Sequence, residues 1–323
     1  MPIGTEWRLN VSEASEKKMT QASNQTTETP APPPPPPFIP PPPSIDALLP
    51  QEMARRAENI GVTKATLNFS KMLMLAILAG AFIALGAIFA TIALTGFSDQ
   101  FPWGWGRVVA GIVFSLGLVL VIVGGAELFT GNNLIVMAWA SRHITTRQML
   151  HNWWVVYLGN FIGSIGTAIF VFLGQVYMFD GGQVGLTALN IAQTKVSFGF
   201  GQAILLGMLC NALVCLAVWL TYSARTTLDK IAAIILPISA FVAAGFEHSI
   251  ANMYFIPYAL LIKAGASDSF WQSIGKVPSD YASLTWLSFI WKNLIPVTIG
   301  NIVGGVGLVG GVYWLIYLRK DKK

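Results

Sequence analysis

Apolar residues fall into six long runs, 72–94, 108–139, 150–172, 198–222, 231–262 and 290–317, set apart by less apolar stretches. A helix crosses a bilayer in about 20 apolar residues, so the pattern predicts six transmembrane helices and an all-α integral membrane protein. Two runs carry small and polar residues at mid-depth. The second contains Gly124-Gly125-Ala126-Glu127-Leu128-Phe129-Thr130-Gly131-Asn132-Asn133; the fifth contains Ala244-Gly245-Phe246-Glu247-His248-Ser249-Ile250-Ala251-Asn252-Met253. Each reads as a helix that breaks and restarts, which bare backbone tolerates only where protein or a water cavity satisfies it. Laid together, the two align Gly125 with Gly245, Glu127 with Glu247 and Asn132 with Asn252. A second echo, at its own single offset, pairs Asn152, Gly159, Asn160 and Gly163 with Asn293, Gly300, Asn301 and Gly304; a weaker one pairs Gly80 with Gly207. Each unit therefore has three spans. An odd number makes the second copy enter from the opposite side, giving two inverted three-helix repeats, and broken helices at matching places point to a transporter's binding site. The recurrent small residues allow close helix approach in lipid.

Outside these runs, residues 1–50 are polar and then rich in proline, including Pro32 to Pro37. Such a tail cannot bury a core and is expected to be disordered, with local polyproline geometry; a solvated tail is preferred over a ligand for an SH3-like groove. An amphipathic helix from about 44 to 60, with Ile45, Leu48, Leu49 and Met53 on its apolar side, begins a lead-in over 51–71; a channel domain over 72–318 and a basic tail over 319–323 follow. Only 11% of the 323 residues are charged, against about 25% in a typical soluble domain. The net charge of +5 sits beside the spans, so no nucleic-acid partner is needed. Arg55, Arg56, Lys64, Lys71, Arg142, Arg147, Arg225, Lys230, Arg319, Lys320, Lys322 and Lys323 fall on one side of six spans. Fewer (Arg107, Lys195, Lys263, Lys276 and Lys292) fall on the other, so both termini are expected in the cytoplasm. The first 50 residues have no apolar core of a signal peptide. Phe101, Trp103, Trp105, Trp153, Trp154, Trp271, Trp286, Trp291 and Trp314 lie near span ends and read as an interfacial belt. Cys210 and Cys215, five apart on one helix, read as packing residues.

The chemistry gathers at 247–248. A carboxylate and an imidazole in hydrocarbon cost on the order of 2–3 kcal/mol each. His248 is the one histidine deep in a span. An imidazole there can be a hydrogen-bonding group between helices, or it can exchange a proton at working pH. Beside a helix break the second reading is favoured: a proton passes between His248 and a weak-acid anion, and the neutral acid crosses apolar constrictions that a bare anion could not. Glu127 and Glu247 could carry protons; the preferred reading has them accept N–H groups freed by the breaks, with Glu247 also orienting His248. Asn132 and Asn252 are expected to cap the restarted half-helices, while Asn152, Asn160, Asn293 and Asn301 bridge helices. No phosphate loop, nucleotide fingerprint or metal-ligand cluster is present, so neither cofactor nor metal is expected. A neutral-solute channel would suit the asparagines but not His248 and Lys195. A membrane hydrolase would need a nucleophile or a second metal-ligand pair, so no enzyme is expected.

Four stretches resemble the formate/nitrite transporter family, on its formate-channel branch, over roughly 64–320. They are Leu128-Phe129-Thr130-Gly131, 210–219 (Cys-Asn-Ala-Leu-Val-Cys-Leu-Ala-Val-Trp), 245–253 (Gly-Phe-Glu-His-Ser-Ile-Ala-Asn-Met) and 293–301 (Asn-Leu-Ile-Pro-Val-Thr-Ile-Gly-Asn). The resemblance implies an aquaporin-like protomer with its own pore, assembled as a homopentamer in the inner membrane and passing small monovalent weak-acid anions. It implies that His248 is the central pore histidine, with Thr130 its partner and Lys195 and Asn211 near the pore. It also implies an outer constriction of Phe114, Val214 and Phe241 and an inner one of Leu118, Leu128 and Phe129. Formate leads the substrates, with nitrite or hydrosulfide the alternatives. The proline-rich tail lies outside the family pattern.

Overall fold

The computed structural model describes residues 46–96 and 102–319. The proline-rich tail with Ile45, Phe101 and Lys320–Lys323 lie outside the described residues. The described chain is helical throughout, with no strands.

Local signals set the helix starts. Helix α1, Pro50–Ala65, places proline at its first position, where the missing N–H costs nothing, and Glu52 Oε2 accepts from Leu49 N at 2.9 Å. The lead-in helix thus begins later than residue 44 and runs past 60. Asn68 opens α2, Phe69–Leu94, by accepting from Ser70 N at 3.0 Å. Helix α3, Trp103–Gly124, ends at Gly125. Beyond the break come α4, Phe129–Asn132, a 3-10 turn over Asn133–Ile135, and α5, Val136–Ala140. A reciprocal Thr145/Gln148 cap begins α6, Thr146–Leu173. Helix α7, Gln183–Ser197, fills a stretch whose weak apolar periodicity predicts only loop. Then follow α8, Phe200–Ser223, α9, Thr227–Ala243, and α10, Ser249–Gly265. After the short α11, Asp268–Ile274, comes a last helical run from Trp286 to Tyr317. It widens to π-helix over Phe289–Leu294 and over the glycine-rich Val303–Gly311, so its turns are looser than an α-helix.

Five helical stretches among the described residues are long and apolar enough to cross a bilayer: α2, α3, α6, α8 and the run that ends at Tyr317. The predicted span 231–262 is instead two helices of 17 residues, each short of the roughly 20 a crossing needs. The predicted span 108–139 is one full-length helix followed by short pieces.

Contacts gather the connections into two ends. At one, Arg225 Nε donates to Asp46 O at 2.6 Å, Ser223 Oγ to Leu48 O at 3.1 Å, and Trp314 Nε1 to Ser141 Oγ at 2.9 Å. Both ends of the described chain lie here, and we call it the terminal end. At the distal end Lys263 Nζ donates to Tyr281 O at 2.8 Å and Tyr281 Oη to Asn190 Oδ1 at 3.1 Å. Trp271 is 7% exposed and packs edge-on against Phe270, so it is a core residue and leaves the expected belt; Trp103, Trp154 and Trp291 are broadly exposed. Trp153 is half-buried and donates to Asn132 O at 3.0 Å. Both cysteines are buried thiols.

Candidate functional site

Each break is made by one glycine in the left-handed region, Gly125 at φ 81° and Gly245 at φ 75°, where any side chain would be strained. The residue pairs that follow leave the helix, and each glutamate's backbone N–H crosses to another helix: Glu127 N to Leu75 O at 3.2 Å, Glu247 N to Leu206 O at 3.3 Å.

The restarted helices are held from outside. Phe129 N donates to Asn160 Oδ1 at 2.9 Å, and Ser249 N to Asn301 Oδ1 at 2.9 Å. Asn160 Nδ2 returns bonds to Ala76 O at 2.7 Å and Glu127 O at 2.9 Å; Asn301 Nδ2 does the same to Gly207 O at 2.8 Å and Glu247 O at 2.9 Å. The glutamates therefore do not serve the freed backbone N–H groups. Asparagines from the neighbouring helix do, because their amides both donate and accept. Asn132 and Asn252 do not cap either; the cap positions belong to Leu128 and His248.

The carboxylates are instead neutralised. Glu127 takes Lys64 Nζ at 2.8 Å and Asn132 Nδ2 at 2.7 Å. Glu247 takes Lys195 Nζ at 2.7 Å, Asn252 Nδ2 at 2.7 Å and Asn293 Nδ2 at 2.9 Å. Asn152 and Asn293 tie each cluster down, donating to Lys64 O at 3.0 Å and Lys195 O at 2.9 Å. A buried carboxylate persists when an ion pair and hydrogen bonds replace its water. Glu247 contacts these partners rather than orienting His248. In the sequence Lys64 reads only as one of the charges that set orientation; the structure makes it the counterpart of Lys195. The signal was present, but the two lysines are 131 residues apart while the glutamates are 120 apart, so no single offset aligns them.

His248 is 3% exposed and Thr130 fully buried. His248 Nδ1 accepts from Ala251 N at 3.1 Å. That assigns the neutral ring's hydrogen to Nε2, which faces Thr130 Oγ1 at 3.0 Å. Residues 118 apart in sequence, one from each break, thus meet through their side chains. Phe241 stacks on the imidazole at 5.9 Å between centroids, and Phe114 meets Phe241 edge-on at 5.7 Å.

Two cavities approach this pair. A distal one of about 880 Å³ is lined by Arg107, Phe114, Lys195, Phe241, Glu247 and His248 among others. A terminal-end one of about 280 Å³ is lined by Arg56, Lys64, Leu118, Glu127, Leu128 and Lys230 among others. Val214, Phe129 and Asn211 line neither. Phe129 sits edge-on to Tyr157 and Trp153, and Val214 is buried. Asn211 Nδ2 donates to Thr130 O at 3.3 Å, Asn133 Oδ1 at 2.8 Å and Asn301 O at 2.7 Å.

Apolar crossing helices, two central breaks and facing cavities define an all-helical membrane transport protein. The sequence profile of the formate/nitrite transporter family matches residues 51–315, and the chain belongs to that family. It is 49% identical over 276 residues to the formate channel FocA of Escherichia coli strain K12, covering 85% of this chain and 96% of the relative. It is 46% identical over 264 residues to FocA of Haemophilus influenzae, covering 82% and 93%. A solved pentameric formate channel with formate bound superposes with a TM-score of 0.74 at 48% identity, covering 78% of this chain and 98% of the other.

Proposed function

We propose that the protein is a channel carrying formate, and similar small monovalent weak-acid anions, across the inner membrane, with proton exchange at His248. The observation that carries this reading is the Thr130–His248 contact at 3.0 Å, buried between two cavities that each hold a lysine. The cations on the two cavity walls, Lys64 and Lys195 among them, outnumber the carboxylates and raise the local concentration of anions. Phe114 and Phe241 form the distal constriction and Leu118 and Leu128 the terminal-end one; Val214 and Phe129, which line neither cavity, complete them where the passage is closed. A bare anion is heavily penalised among these side chains, and a neutral acid is not. A proton taken up from the cavity makes His248 an imidazolium, which passes it to the anion and returns to the neutral ring; Thr130 presents its hydroxyl to the substrate or the ring, and Asn211 keeps the Thr130 backbone in place. Glu247 holds Lys195 at the cavity wall.

In this reading six membrane crossings form two inverted three-helix repeats with an aquaporin-like layout. The interrupted α9–α10 pair makes the crossing that neither helix makes alone. The matched bonds of Asn160 and Asn301, and of Lys64 and Lys195, support the repeat. The described chain ends share one end of the molecule, which the positive-inside rule places in the cytoplasm. Five copies assemble, each with its own pore, a reading supported by the likeness to the superposed pentameric channel. Nitrite and hydrosulfide, small and singly charged, are the alternative cargoes.

The test is uptake of labelled formate by liposomes across a pH series, beside osmotic swelling for neutral solutes. Formate flux should exceed any neutral-solute signal and rise as pH falls, and His248→Phe should abolish the pH dependence. Swelling without anion uptake overturns the substrate class; an unchanged pH profile in His248→Phe overturns the proton role.

A further inference from the structure

The two cavities are built alike but charged differently. In the distal cavity Arg107 donates to the last carbonyls of α9, Val242 O at 2.5 Å and Ala243 O at 3.4 Å, and Lys195 is bound to Glu247. Both cations there are already engaged. In the terminal-end cavity Lys64 is likewise bound to Glu127 and to Asn132 Oδ1 at 3.0 Å. Lys230, at the start of α9 as Arg107 is at the start of α3, instead has a side chain without a hydrogen-bond or ion-pair partner among the described residues. Arg56 spends one N–H on Tyr222 O at 3.1 Å and keeps the rest of its fork. Three cations thus face the single carboxylate of Glu127, in about a third of the distal cavity's volume.

We propose that this cavity binds a divalent oxyanion of the inorganic phosphate class between Arg56 and Lys230, and that the bound anion blocks the pathway from the terminal end only. The proposal rests on the reading of the protein as an anion pathway. A planar guanidinium fork matches two oxygens of a tetrahedral oxyanion, and an ammonium supplies a mobile second charge. The surplus positive charge matches a dianion, and low-dielectric walls concentrate the field. The anion cannot go further. One proton turns formate into a neutral acid but leaves hydrogen phosphate charged, so Leu118 and Leu128 still exclude it.

Formate flux is to be measured in liposomes whose protein orientation is set by protease access to a C-terminal tag. Phosphate is added on one face at a time, against chloride at matched ionic strength, in vesicles with and without phosphatidylglycerol. Phosphate at the terminal end should lower flux about tenfold, and phosphate at the distal end should leave it unchanged. Calorimetry on the detergent-purified protein should give phosphate binding that weakens about tenfold in Lys230→Gln and in Arg56→Gln and is kept in Lys230→Arg. Equal block from both faces, no block, or undiminished phosphate binding in both glutamine variants overturns the proposal. So does a block set by phosphatidylglycerol, which would make a lipid headgroup the occupant. Absence of formate flux under every condition overturns the channel reading instead, and the calorimetry then still decides whether the phosphate site exists.

Discussion

A single carboxylate illustrates how much one residue depends on its partners. Glu247 is 2% exposed and holds Lys195, Asn252 and Asn293. Removing it leaves an ammonium and two amides facing apolar surroundings, so Glu247→Ala should destabilise the protein by about 3–5 kcal/mol. Lys195→Ala should cost a similar amount, and the double variant should fall well short of the sum, because the second deletion removes the charge stranded by the first. Thermal unfolding in detergent, run as a double-mutant cycle, measures this; additive losses would mean that the 2.7 Å pair carries no coupling. The same logic explains why glutamates beside helix breaks are poorly read from sequence. The residue type announces a buried charge, but its partners come from elements far away along the chain.

At the scale of elements, the breaks survive because neighbouring helices carry their bonds. The single side chain of Asn301 bonds Ser249 N, Gly207 O and Glu247 O, and Asn160 serves the other break in the same way. Asn301→Ala strands the two backbone groups at the break, Ser249 N and Glu247 O, at about 1–3 kcal/mol each. Its unfolding midpoint should drop by several degrees at least, and Asn301→Asp, which can accept but not donate, should lose most of the same stability. A midpoint within a degree of the parent would show that the break needs no external support. The helix α6 can come this close because Gly163 has no side chain: a Cβ there would land on the Ile77 carbonyl oxygen of α2. Gly163→Leu should therefore abolish folded protein in the membrane, read as loss of a monodisperse species after extraction. The echoes at Gly163 and Asn160 were legible as repeats. Their purpose was not, since one offset aligns the residues without saying which carbonyl each meets.

For the whole molecule, the gathering of both described chain ends predicts sidedness. An impermeant maleimide should label Ser141→Cys and Arg319→Cys from one face and Lys276→Cys from the other, with buried Cys210 and Cys215 silent. Labelling of Ser141→Cys and Arg319→Cys from opposite faces would refute an even number of crossings. Charge also acts at this scale. The lysines and arginines at the two cavities act on an approaching anion through their field, so the formate concentration for half-maximal flux should rise with ionic strength.

Local rules acting within about 20 residues determined, from sequence alone, that the chain is helical, apolar and interrupted twice, since hydrophobic run length and a glycine followed by a glutamate are properties of adjacent positions. The recurrence of those rules also made the matching of the two breaks visible. Tertiary structure alone decided the rest. It made α7 a helix and brought Lys195 in its last turn onto Glu247, and it gave Lys64 the matching role on Glu127. It moved Trp271 from the expected belt into the core, and it set Thr130 and His248 face to face across 118 residues. Each of these depends on which distant group replaces the water a buried polar atom has lost, and only the packed helices specify that partner.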